Sequence, residues 1–156
     1  MRVDHGCTHD VGSIERDINL DGRNIMSEAQ FIRTITCMPV DDILHATSWY
    51  EKALGLETTY LHEGDHEGEE TNYAVMQRDG VEVHLVLDEP PPYAAPCTKA
   101  GVGYLNLHVK DVNSMYEEVK RAGIEITRGL ETENWGATGF NLTDPSGNAV
   151  HLEQES

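Results

Sequence analysis

Val83-His84-Leu85 is answered further along the chain by Val150-His151-Leu152, and Val40-Asp41-Asp42-Ile43 by Val109-Lys110-Asp111-Val112. Between these pairs, Tyr50-Glu51-Lys52-Ala53-Leu54-Gly55-Leu56-Glu57 has a counterpart in Glu118-Val119-Lys120-Arg121-Ala122-Gly123-Ile124-Glu125. The three matches recur in the same order, which is the signature of one small unit used twice.

Working outward from the matches, each copy reads as strand, helix and three strands. Phe31–Val40 is rich in β-branched and apolar residues and predicts a strand. Asp42 can cap a helix over Ile43–Leu54, with Ile43, Thr47, Tyr50 and Leu54 as its inward stripe and Gly55 as its stop. Leu56–His62 predicts a strand, His62–Glu70 an acidic loop, and Asn72–Arg78 with Val81–Leu87 a hairpin turning at Asp79-Gly80. Pro90, Pro91, Pro92 and Pro96 make 88–101 a stiff linker. The second copy predicts a strand over Gly103–Val109 and a helix over Val112–Ala122 capped by Asp111. Strands over Ile124–Arg128, Thr138–Thr143 and Asn148–Gln154 follow, with Asp144-Pro145-Ser146-Gly147 as a turn. The expected fold class is α+β: two tandem βαβββ modules forming a curved mixed β-sheet cleft. Residues 31–155 then make one domain of two repeats, about 31–88 and 102–155, after a polar extension over 1–30.

Composition bounds the function. The chain has 156 residues, 11 Lys plus Arg against 28 Asp plus Glu, and a formal charge of −17. Binding to nucleic acid or to an anionic membrane surface needs the opposite balance, so neither partner is expected. The charge suits a cationic ligand, although solubility alone also favours excess acid. Cys7, Cys37 and Cys97 form no CxxC pair and are odd in number, which fits a reducing cytoplasm. No apolar run approaches a membrane span, and no signal peptide is expected after Arg2. Asp4, His5, Cys7, His9 and Asp10 are metal-ligand residue types, but their spacing matches no closed site, and a loose tail is the expectation for this end.

The same motifs, together with Trp49-Tyr50 and with Trp135-Gly136 ahead of Asp144-Pro145-Ser146-Gly147-Asn148, resemble the vicinal oxygen chelate superfamily. That superfamily holds glyoxalase I, extradiol dioxygenases, fosfomycin-resistance transferases and bleomycin-resistance proteins. The resemblance runs from about Phe31 to Glu155. In the superfamily's enzymes a divalent metal takes ligands from the first and last strands of each half. By motif, those positions fall here on Ile35, His84, Tyr104 and His151. Ile35 cannot ligate and Tyr104 is an uncommon ligand, whereas a catalytic site wants about three protein ligands. Glu82, Glu153 or His108 would have to swing in from neighbouring rungs. The metal candidates are therefore His84, His151 and Glu153, for Ni, Zn, Fe or Mn.

The closer likeness is to bleomycin-resistance-type members, which sequester cationic aromatic antibiotics without chemistry, in a groove shared by two chains. This implies no cofactor, a small-molecule ligand and a homodimer. The expected pocket residues are His84, Tyr104, His151, Trp135 and His108, with Glu82 and Glu153 as charge partners. Tyr93, Phe140, Glu133 and the loop at Asp65 are further candidates for stacking and charge. The alternative implied function is a metal-dependent lyase, isomerase or dioxygenase of the same superfamily. The plainer reading of the two histidines is a hydrogen-bonded pair in the cleft floor, of Phe140 a core residue, and of the acidic loop a solvated one.

Overall fold

The computed structural model describes residues 32–62, 71–88 and 99–156. Chain contacts separate Met1–Thr34 from a compact unit, Ile35–Ser156. The extension expected over 1–30, the acidic loop and most of the proline linker lie outside the described residues.

The unit Ile35–Ser156 carries the repeat. Its first module runs β1 (Thr36–Val40), α1 (Ile43–Leu54), β2 (Glu57–His62), β3 (Tyr73–Arg78) and β4 (Val81–Leu87). The second runs β5 (Tyr104–His108), α2 (Val112–Arg121), β6 (Arg128–Thr132), β7 (Thr138–Thr143) and β8 (Ala149–Gln154). Each module makes a four-stranded mixed sheet, ordered β1-β4-β3-β2 and β5-β8-β7-β6. First and last strands run parallel in both, with Cys37 opposite His84 and Asn106 opposite His151. The edge strands β1 and β5 touch. The architecture is the α+β pair of βαβββ modules that the repeat predicts.

Both helices begin at an aspartate that accepts a bond from an orphan backbone N–H: Asp42 from His45 and Asp111 from Ser114, each at 2.9 Å. α1 ends at Gly55, whose φ of 63° closes the helix in the left-handed conformation. The α1 stripe is Ile43, Ala46, Thr47, Tyr50, Ala53 and Leu54. Strand alternation sends Met38, Val40, Val83 and Leu85 of one sheet, and Leu105, Val150 and Leu152 of the other, into one core that both helices cover. The opposite faces of the sheets carry the histidines.

Two strands differ from expectation. β1 starts at Thr36 rather than Phe31: Ile32 is 91% exposed, so its β propensity has nothing to pack against among the described residues. β6 is Arg128–Thr132 rather than Ile124–Arg128. Ile124 and Ile126 pack against the core from the connection after α2, and pairing with β7 begins only at Arg128 opposite Asn141. Period-two apolar spacing marks a buried edge in both cases, and only the partner strand decides where the ladder starts.

The modules are tied together by the turn read above as Asp144–Gly147, which continues into Asn148. Asp144 and Asn148 are buried. The Asn148 amide nitrogen donates to the Pro39 carbonyl at 2.6 Å and to Asp144 at 2.8 Å. Its amide oxygen accepts from Gly101 N at 2.9 Å and Gly103 N at 2.8 Å. Two donors and two lone pairs are thus all in use. Asp144 also accepts from the Tyr50 hydroxyl at 3.1 Å, and Ser146 donates to Asp41 at 2.6 Å. Burial and the Asp144 carboxylate together push the Tyr50 hydroxyl far above the usual phenol range, so it stays a donor.

Candidate functional site: two carboxylate-paired histidines

His84 and His151 occupy equivalent central-strand positions, each facing away from the helices. Both are buried. His84 Nε2 lies 2.8 Å from Glu82 Oε1, and its Nδ1 meets the Tyr73 hydroxyl on β3. A carboxylate can only accept, so the neutral ring carries its proton on Nε2 and receives the tyrosine proton at Nδ1. Gln77 donates to the other Glu82 oxygen at 2.6 Å. The Tyr73 ring meets His84 edge-on at 5.4 Å and Tyr60 at 6.3 Å.

The second module inverts this polarity. His151 Nδ1 lies 2.7 Å from Asn141 Oδ1, so the neutral ring carries its proton on Nδ1. Its Nε2 lies 3.4 Å from Glu153 Oε2, to which the protonated ring donates. Oε1 of Glu153 takes the Asn106 amide at 2.8 Å and lies 3.1 Å from His108 Nε2. The Asn106 bond, aided by His108 and His151, holds the Glu153 carboxyl below the ordinary carboxylate range despite its burial. Gly139 lets the imidazole lie this close: a Cβ there would stand 2.7 Å from His151 Cε1 and 2.8 Å from the Leu152 carbonyl oxygen.

The structure therefore brings Glu82 to His84, and Glu153, Asn106 and His108 to His151. The described bonds of each cluster stay within its own sheet. Tyr104 is exposed on the same face as Asn106, and Trp135 is 70% exposed in the β6–β7 turn. Phe140 is fully buried, edge-on to Tyr116 at 5.2 Å, and belongs to the core rather than to a pocket. Glu133 is paired with Arg128. Tyr93 and Asp65 lie outside the described residues. Tyr73, Asn141 and Gly139 are site residues that the sequence reading missed, and Tyr60 lies beyond them against Tyr73; the signal for the first three was the strand register, which places them beside the histidines. Two cavities, of about 320 and 560 Å³, lie elsewhere, where α1 meets α2 and where the β3–β4 turn meets the start of α2. His108 alone among the expected pocket residues lines one of them.

A family model described as the Glyoxalase/Bleomycin resistance protein/Dioxygenase superfamily matches residues 32–152. The chain belongs to that superfamily. Similar solved structures include TioX from Micromonospora sp. ML1, at 17% identity over 80% of this chain and 98% of that one, with a TM-score of 0.66. A glyoxalase / bleomycin resistance protein from Catenulispora acidiphila DSM 44928 is 23% identical over 80% and 98%, with a TM-score of 0.58. Lactoylglutathione lyase from Agrobacterium tumefaciens is 18% identical over 78% and 92%, at 0.61. At these identities the likeness is one of fold. No curated protein matches the chain.

Members of the glyoxalase superfamily that act through a divalent metal need a set of donors. Here Ile35 has none to offer, and His84 is bonded at both ring nitrogens. Among the described residues, no three His, Cys, Asp or Glu side chains come together to hold an ion. The described residues of one chain do not bring together the donor set of a resident metal centre. No helix among the described residues is long and apolar enough to cross a membrane.

Proposed function

We propose that the protein binds and sequesters a small cationic aromatic molecule on the histidine-bearing sheet faces, without metal chemistry, in the reducing cytoplasm. One observation carries this reading. The Glu153 carboxylate is held ionised on the strand face it shares with His151, whose Nε2 lies 3.4 Å from its Oε2. The N–H of a protonated amine or amidinium has the charge and the donor that such a carboxylate takes. The ionised Glu153 supplies the attraction. Tyr104, Trp135 and Tyr60 are exposed rings suited to stacking on a flat ligand. Glu82 and His84 offer a second polar partner on the other sheet, and a homodimer brings the face of one copy against the other face of its partner.

Titration with ethidium, a planar aromatic cation, tests the reading. Binding that weakens about tenfold or more in Glu153→Gln, by loss of a charge-assisted bond, supports it. Unchanged binding in Glu153→Gln and Trp135→Ala overturns it. The competing reading is a metal-dependent lyase, isomerase or dioxygenase. Stoichiometric Ni, Zn, Fe or Mn in the purified protein, lost in the double variant His84→Ala/His151→Ala, establishes that reading instead. Sedimentation gives the oligomeric state, and a monomer that binds ethidium equally well removes the shared groove.

A further inference from the structure

We propose that the Tyr73 hydroxyl is an activated nucleophile, held by His84 and Glu82 to accept an acyl group from an ester with a stable leaving group. The two copies of the repeat differ at this point. β4 carries Glu82 two residues before His84, where β8 has Ala149 before His151. Tyr73 lies opposite Val86, two residues after His84, and Gly139 lies opposite Glu153, two residues after His151. The first module therefore has a phenol and a carboxylate where the second has a glycine and an alanine. Glu153 and His151 take no part, so this chemistry stands apart from the cation reading.

Every link of the chain from phenol to carboxylate points one way. The Tyr73 hydroxyl donates to His84 Nδ1, and His84 Nε2–H donates to Glu82 Oε1 at 2.8 Å. Gln77 Nε2 fixes the other Glu82 oxygen at 2.6 Å. The imidazole is buried and Tyr73 is half-buried, so the base is sheltered while part of the nucleophile's side chain meets solvent. A weak hydroxyl becomes reactive when it sits on a base that a third group orients. In the step, Tyr73 Oη attacks the ester carbonyl carbon and its proton passes to His84 Nδ1. The carbonyl re-forms as the bond to the leaving oxygen breaks, and the leaving group departs as an anion. Glu82 stabilises the imidazolium until it returns its proton to water, and the product is an O-acyl tyrosine. Tyr104 is the internal comparison. It is 61% exposed and has no hydrogen bond to an imidazole among the described residues, so access alone favours it over Tyr73.

The test is reaction of the full chain with p-nitrophenyl acetate at neutral pH, with the acetylated residues located and timed by peptide mass spectrometry. The expected result is one acetyl on Tyr73, gained faster than any on Tyr104. His84→Gln slows Tyr73 about a hundredfold or more, the scale of a lost general base. Glu82→Gln, which keeps the shape of the positioning side chain and removes its charge, slows Tyr73 about tenfold. Glu82→Asp recovers part of that rate, and Tyr104 keeps its own rate in all three variants, which a disturbed fold would not allow. Glu82 is half-buried, so its variants decide the matter even if His84→Gln does not fold. Equal rates at Tyr73 in wild type and Glu82→Gln overturn the proposal, and so does acetylation that reaches Tyr104 before Tyr73.

Discussion

Two junctions between the modules occupy equivalent places in the repeat, and they differ in five residues of turn against two. On one side Asn148 reaches across to the β1 carbonyl of Pro39, uses every hydrogen-bonding position of its amide, and is fully buried. On the other, Val81 occupies that place at 43% exposure and a cleft remains. A duplicated fold thus does not need both of its seams closed. One satisfied buried network holds the halves in place, and the other seam is released from that duty.

The largest effect expected from breaking this contrast is Asn148→Ala, which leaves the Gly101 and Gly103 amides and the Pro39 carbonyl without their partner. We expect a loss of about 3 kcal/mol or more in urea unfolding, while Val81→Ala at the open seam stays within about 0.5 kcal/mol. Equal costs at the two positions would abolish the distinction. Gly139→Ala follows, at about 1–3 kcal/mol, because the methyl meets both the His151 ring and a backbone oxygen. The displaced ring is visible as a shift of the His151 Cε1–H resonance.

Tyr50→Phe sharpens the comparison by making the closed seam more like the open one at a single atom. Asp144 keeps Asn148 N at 2.8 Å, so the expected cost is only about 1 kcal/mol. The smallest effect is on pH dependence. The folded pKa of Glu153 lies below its ordinary 4.5. Its stabilisation is therefore fully present above pH 4.5 and is lost as the pH falls through the lower folded value, where the unfolded chain already binds the proton. Below pH 4.5 wild type should lose stability more steeply than Glu153→Gln, and parallel acid limbs would show that the carboxylate is not held ionised.

The histidines give a second contrast between the halves. Ring nitrogen 15N shifts should report the proton on Nε2 of His84 and on Nδ1 of His151, since Glu82 and Asn141 are the respective acceptors.

The repeat was legible because its marks are local: an aspartate before each helix, a glycine after α1, and Val-His-Leu on each closing strand. The α1 boundaries and those of β4 and β7 follow from such marks alone. So does the pairing of each histidine with the glutamate two residues away on its own strand, since alternation puts both on one face. Asn141, Tyr73 and Gly139 could not be found this way. They sit on a neighbouring strand, and a bulge or a one-residue slip would have turned them to the other face.

By itself the sequence determined the duplicated fold, the family resemblance and the equivalence of His84 with His151, because capping, turn chemistry and alternation act over a few residues. Only the tertiary structure decided that Asp144-Pro145-Ser146-Gly147-Asn148 is a lock rather than a mere turn, that the two imidazoles meet different partners, Tyr73 with Glu82 and Asn141 with Glu153, and that the other seam stands open. Those facts depend on which groups meet across more than 90 residues of chain, as Tyr50 meets Asp144, and no local preference encodes such a meeting.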